Sequence, residues 1–124
     1  MGNMSIIGLI FLGGGLGSLA RYGVGKAAIQ FYSDGKFPLG TLIANTLACL
    51  ILGIVLYTFR DRLIENEWVK YLVVIGFCGG FSTFSTYSLE TVKLFQSGLV
   101  YWGIFNILIS LALGVSILWM LVKK

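Results

Sequence analysis

The chain reads as an all-α integral membrane protein of four spanning helices, the third of them broken. Three observations predict this. Of 124 residues, 57% are hydrophobic and 11% charged, with a mean hydropathy of +0.91, a balance too apolar for a soluble domain of this length. Four apolar stretches, at about residues 6–31, 39–59, 69–92 and 99–122, are each long enough to cross a hydrocarbon core of roughly 30 Å at about 1.5 Å per residue. The third stretch contains Gly76-Phe77-Cys78-Gly79-Gly80-Phe81-Ser82-Thr83-Phe84-Ser85-Thr86-Tyr87-Ser88. Lipid offers the backbone no hydrogen bonds, so a polar, helix-breaking run at that depth is tolerated only against protein or a water-filled path. A single transmembrane domain, 1–124, accounts for the sequence. Too little chain lies outside the bilayer for a soluble catalytic or nucleic-acid-binding domain, and no enzyme is expected.

Each span has its own signature. No Lys or Arg precedes the apolar part of the first and no clear small-residue cleavage site follows it, so it is expected to be a retained helix, not a signal peptide. Its glycines, Gly13, Gly14, Gly15, Gly17, Gly23 and Gly25, allow close helix approach, and Gly13 and Gly17 form a Gly-x-x-x-Gly pair. Arg21 adds a positive charge late in this span. In the second span Thr41 and Asn45 lie one turn apart and share a face. The third carries the hydroxyl-rich break, with the aromatics Phe84 and Tyr87 and, from Gly76 onward, no charge before Glu90. Asn106 and Ser110, four apart in the fourth span, form a second polar stripe. The cysteines, Cys49 and Cys78, both fall within spans, and there is no histidine. Core packing accounts for them better than a metal site, which would want more partners.

Polar groups inside spans face a partner, a cavity or a pathway, and each has a bland reading beside the functional one. Asn45 is either interhelical hydrogen-bonding glue or a pathway donor, and Asn106 with Ser110 likewise. Arg21 either snorkels to the headgroups or supplies an attractive potential. Glu90 can be a solvated helix end, and Phe84 and Tyr87 core. Together they favour the functional reading. Amides, hydroxyls and the electropositive edges of aromatic rings are donors without fixed negative charge, a set suited to a small anion that must shed its water. A cation path would show carboxylates or rings of carbonyls.

The orientation signal is close to a tie. With four crossings, Arg60, Arg62, Lys70, Lys123 and Lys124 fall on the side of the termini, and Arg21, Lys26, Lys36 and Lys93 on the other, five against four. Because short-loop Lys and Arg set orientation, such a balance predicts insertion both ways round and makes an antiparallel homodimer feasible.

Three segments, Gly13-Gly14-Gly15-Leu16-Gly17-Ser18-Leu19-Ala20-Arg21-Tyr22, Pro38-Leu39-Gly40-Thr41-Leu42-Ile43-Ala44-Asn45 and Gly76 through Glu90, together give a chain that resembles the small bacterial fluoride channels known as Fluc or CrcB proteins over nearly its whole length. The resemblance implies a dual-topology, antiparallel homodimer in the bacterial inner membrane with two fluoride pathways, exporting cytoplasmic fluoride passively. It also implies a structural, untransported sodium ion at the dimer centre, held by the backbone carbonyls of Gly79 and Ser82, where the family usually has Thr in place of Ser82. Asn45 and the ring edges of Phe84 and Tyr87 then line the fluoride pathway, Tyr87 standing where Phe is usual. Arg21 corresponds to a vestibule charge, with Glu90 grouped beside it as a vestibule or structural charge. Thr83, Ser85 and Thr86 belong to the polar track by motif position, and Asn106 and Ser110 by approximate register. The rival from another class is a small multidrug exporter coupled to protons through an acidic residue in its first helix, a residue this chain lacks. A non-transporting scaffold protein would explain the glycines but not the convergent polar groups.

Overall fold

In a computed structural model, described here for residues 1–123, the chain is helical from end to end, with no strand among the described residues. Lys124, one of the counted charges, lies outside them. Helix α1 spans Asn3–Phe31 and α2 Leu39–Phe59, followed by a 3₁₀ turn, Arg60–Arg62. A π-helical segment, Val69–Cys78, runs into the single turn α3, Gly79–Phe81, and after an extended step at Ser82 and Thr83 the chain resumes as α4, Phe84–Gln96. Helix α5 is Val100–Val122. Taken as crossings, these are four apolar units, Asn3–Phe31, Leu39–Arg62, Val69–Gln96 and Val100–Val122, and the protein is a multi-pass membrane protein. The four expected spans are all present. The third extends four residues past its expected end, because Lys93 and Gln96 sit in the last turn of α4, where polar side chains reach the interface.

The connections show why the helices stop where they do. After α4 the amide of Leu99 donates to Leu94 O at 2.9 Å and that of Gly98 to Phe95 O at 3.1 Å, the paired bonds of a Schellman ending. Gly98 occupies the left-handed position with φ 77°, which a residue with a Cβ adopts only at a cost. Between α1 and α2, Gly35 takes φ 63°, and Phe37, buried at 8%, packs its ring against Trp102 and Phe105 at the start of α5, with centroids 5.5 and 5.6 Å away. That pairing puts the first and third connections at one end of the bundle. At the other end the N-terminal ammonium lies 3.3 Å from a Glu67 carboxylate oxygen, beside the second connection.

Small residues set the packing. Without a hydrophobic drive between helices in lipid, association depends on close van der Waals contact. The most extensive interface is α1 against the π-helical segment, where Gly13 and Gly76 stand back to back. A Cβ on Gly13 would overlap Leu72 O, one on Gly17 would overlap Phe77 O, and one on Gly80 would overlap Gly14 O. The Gly13/Gly17 pair therefore serves the chain's own third crossing. Ala44, Ala48 and Phe81 form the buried centre, flanked by Ala20, Val24, Ile51 and Phe77, and they fix α2 against the interruption of the third crossing.

Candidate functional site

The site grows from one event, the loss of helical geometry at Ser82 and Thr83, at the midpoint of the Val69–Gln96 crossing. Ser82 has φ −82°, ψ 157° and Thr83 φ −151°, ψ 121°, so both are extended and the i→i−4 ladder is cut. Each freed backbone group must find a partner or remain exposed to a low-dielectric environment at a cost of several kcal/mol, on the order of 2–7 kcal/mol.

Asn45 on α2 supplies the main replacement. Its Oδ1 accepts the Thr83 N–H at 2.7 Å and its Nδ2 donates to Thr83 O at 3.1 Å, so its amide mimics a peptide unit across the gap. One N–H of Asn45 is left over. The Thr83 hydroxyl caps α4 by accepting the Thr86 N–H at 3.2 Å, and lies 3.3 Å from the Ser85 hydroxyl. Arg21 reaches in from α1 and donates from Nε to Gly80 O at 3.2 Å. Ser82 turns its hydroxyl back, donating to Cys78 O at 2.9 Å.

These bonds have a consequence for the carbonyls. In an unbroken helix the Thr83 N–H would serve Gly79 O and the Thr86 N–H would serve Ser82 O. Here Asn45 and the Thr83 hydroxyl take those two protons, and among the described residues no backbone N–H bonds to Gly79 O or Ser82 O. Both residues border a small pocket of about 200 Å³ shared with Ala48, Cys49, Leu52, Val74 and Cys78. Hard oxygen donors at a helix interruption fit a monovalent or alkaline-earth cation. Among the described residues no cluster of three or more His, Cys, Asp or Glu forms a side-chain metal site. Cys78 is buried and Cys49 half-buried, and both thiols are free.

On its other side the interruption opens into a larger cleft of about 530 Å³, bounded by the end of α1, the first connection, the start of α2 and α4. Arg21, Lys26, Thr41, Thr83, Thr86 and Glu90 give it its polar lining. Glu90 is not a solvated helix end: it sits in the second turn of α4, half-buried, and its Oε1 accepts the Thr41 hydroxyl at 2.9 Å while its buried Oε2 has no hydrogen-bond partner among the described residues. The α2 stripe, Thr41 with Asn45, thus grips α4 and the interruption one turn apart.

Phe84 and Tyr87 follow at the start of α4 with ring centroids 6.0 Å apart and tilted by 41°. Phe84 is 80% exposed, so its ring is not core of this chain, whereas Tyr87 is half-buried. Asn106 and Ser110 stand apart from the interruption, on the seam between α4 and α5. Asn106, 1% exposed, donates to the Thr91 hydroxyl at 2.9 Å and receives the Ser110 hydroxyl at 3.4 Å. Thr91 is the polar residue that sequence reasoning missed. Its only signal was position, one turn after Tyr87.

Fold and site together define a class: a small four-crossing membrane protein whose third helix is interrupted at mid-depth and stitched by an asparagine amide, with amide and hydroxyl donors and one guanidinium gathered around the gap. The chain belongs to the family described as CrcB-like protein, Camphor Resistance (CrcB), which it matches over residues 8–122. It is 35% identical over 119 residues to a protein of Vibrio parahaemolyticus named fluoride-specific ion channel FluC, covering 96% of this chain and 93% of the relative. Proteins of the same name from Phocaeicola vulgatus and Coxiella burnetii are 44% and 41% identical over 110 and 114 residues, covering 86% and 90% of this chain and 87% and 90% of theirs.

Proposed function

We propose that this protein is a passive, fluoride-selective channel that relieves the cell of cytoplasmic fluoride. The observation that carries the reading is the stitched interruption: an amide, hydroxyls and a guanidinium converge at mid-membrane from α1, α2 and α4, in a chain whose relatives are named fluoride-specific ion channels. A small anion is strongly hydrated, and donors held in place by other bonds replace its water without having to reorganise. Arg21 and Lys26 outnumber the Glu90 carboxylate in the lining of the ~530 Å³ cleft, and the net positive charge draws anions toward it. From there Thr83, Thr86 and the spare N–H of Asn45 offer donors, and the exposed edge of Phe84 with the neighbouring Tyr87 continues the path. Asn106 and Ser110 extend the polar track along α5.

The driving force needs no coupled reaction. Hydrogen fluoride enters cells uncharged and ionises in a near-neutral cytoplasm, and an inside-negative potential favours exit of the anion by about 2.3 kcal/mol per 100 mV. The working form is an antiparallel pair of chains, with Phe84, exposed in the single chain, presented to a path completed by the partner copy. The Gly79 and Ser82 carbonyls would hold a structural sodium ion between the copies, whose charge satisfies oxygens that the interruption leaves without donors. Sodium is not cargo in this scheme.

Proteoliposomes loaded with fluoride test the reading. Fluoride efflux, read with a fluoride electrode after a potassium-valinomycin potential is set, is expected for the folded protein, with chloride released far more slowly. A folded dimer that passes no fluoride with sodium present would overturn the channel assignment. Proton-driven export of an organic cation would replace it with the exporter reading.

A further inference from the structure

We infer that Thr91 is a positioning residue that sets which way the Asn106 amide faces and, through its bond to Tyr87 O, holds the ring-bearing turn of α4 in one register against α5. The inference rests on the pathway reading above but is carried by a different set of bonds. Thr91 is buried, 6% exposed, and its hydroxyl donates to Tyr87 O at 2.8 Å, one turn back in α4. A hydroxyl has one proton. With that proton committed, only the oxygen lone pairs face α5, and they accept the Nδ2 of Asn106 at 2.9 Å. On the far side Asn106 Oδ1 receives the Ser110 hydroxyl at 3.4 Å. If the amide turned over, Oδ1 would meet the Thr91 oxygen with no proton between them, and Nδ2 would face the Ser110 oxygen. To serve a turned amide the Thr91 hydroxyl would have to give up Tyr87 O and donate to Oδ1, so the bond to Tyr87 O favours the sense that runs from Tyr87 O through Thr91 and Asn106 to Ser110.

That sense matters to the turn that carries Tyr87. Asn106 keeps a second N–H with no protein acceptor among the described residues, in a side chain that is 1% exposed. A buried amide N–H without a partner is costly, which leaves the bond from its other N–H to the Thr91 oxygen as the amide's one donor contact. Thr91 also holds the Tyr87 carbonyl, so the ring-bearing turn and the α5 stripe are tied through a single hydroxyl. Valine has nearly the shape of threonine without the proton or the lone pairs, and serine keeps both.

The test combines flux with a readout independent of flux. In proteoliposomes, Thr91→Val is expected to slow fluoride efflux by roughly five- to tenfold, the factor carried by about one net hydrogen bond, while Thr91→Ser stays near the parent rate. In an Asn106→Leu background, Thr91→Val should add less than about a twofold further loss, since the residue it orients is gone. With ¹⁵N-asparagine-labelled protein in detergent micelles, the Asn106 side-chain NH₂, assigned by its loss in Asn106→Leu, should give two separate, slowly exchanging proton signals in the parent and in Thr91→Ser. In Thr91→Val they should broaden and exchange rapidly. Unchanged amide signals in Thr91→Val, or an equal slowing of efflux with and without Asn106, would overturn the inference. Should Thr91→Val fail to fold, Thr91→Cys, whose thiol is a weak hydrogen-bonding partner, is measured in its place against the same outcomes. A parent protein that passes no fluoride would sink the channel reading alone, and the amide signals would still decide the role of Thr91.

Discussion

Asn45 carries two duties that substitution can separate. Its amide bonds both the N–H and the C=O of Thr83, so Asn45→Leu leaves a half-buried peptide N–H without a partner and is expected to cost about 1–3 kcal/mol of stability, seen as a lower unfolding temperature of the purified protein in detergent. Asn45→Asp keeps the acceptor for the Thr83 N–H, and its main effect is to put a like-charged or protonated group where the anion meets a donor. Fluoride efflux should fall more sharply in Asn45→Asp than in Asn45→Leu, although both lose the bond to Thr83 O, and unchanged efflux would make Asn45 a structural bridge only. Phe84 gives the complementary case. Because its ring is 80% exposed in the single chain, Phe84→Ile should leave folding intact while slowing efflux, since apolar bulk is kept and the electropositive edge is lost; normal efflux would remove the ring from the pathway. At this scale the sequence located the polar residues but not their partners. The residue types and the helical period placed Thr41 and Asn45 on one face, yet nothing in them says that Asn45 meets Thr83 or that Thr41 meets Glu90 forty-nine residues away, because such pairings depend on how whole helices dock. Thr91 was invisible for the same reason: its meaning comes from Asn106 on another helix.

Among the elements, α1 and the third crossing depend on each other most closely. Their backbones touch, with Gly13, Gly17, Gly76 and Gly80 at the contact, and this closeness brings the Arg21 guanidinium within 3.2 Å of Gly80 O at the interruption. A methyl group at Gly17 would meet Phe77 O and lie 2.8 Å from Phe81 N. Backbone atoms cannot step aside as a side chain can, so Gly17→Ala is expected to lose about 1–3 kcal/mol through overpacking and to weaken the Arg21 contact. Gly23→Ala, where nothing among the described residues lies within 4 Å, is the control and should unfold at or slightly above the parent temperature in the same detergent, since Ala favours a helix over Gly. Equal unfolding temperatures for the two variants would mean that the interface relaxes freely. The four spans were legible because length and hydropathy alone define them, and the interruption because Gly79, Gly80 and the hydroxyls after them contradict an uninterrupted apolar helix. The π-helical winding of Val69–Cys78 was not legible. The segment packs its Gly76 against Gly13 of α1, and a hydropathy pattern carries no trace of that contact or of the winding.

For the molecule as a whole, orientation in the membrane is the property on which the proposed assembly turns. The contacts agree with an even number of crossings: the N-terminus pairs with Glu67 beside the second connection, and Phe37 of the first connection packs on Trp102 next to the third. Charges then weigh one end against the other. The sequence count of five against four placed Arg21 with the loops, whereas its guanidinium is bonded to Gly80 O inside the bundle; setting it aside leaves five against three. That margin is still small for a rule that works through differences of a few charges, and it can be tilted from exposed positions. Replacing Lys36→Ser and Lys93→Ser leaves five against one and should fix the termini in the cytoplasm. Combining Arg60→Ser and Arg62→Ser with Ser33→Lys and Ser97→Lys gives three against five and should fix them outside. If the channel is an antiparallel pair, cells making either variant alone should remain fluoride-sensitive and their membranes should show little efflux. Cells making both should recover, because each variant finds its inverted partner. A C-terminal reporter active on one side of the membrane verifies the orientations, and full efflux from a variant shown to insert only one way would exclude the antiparallel assembly.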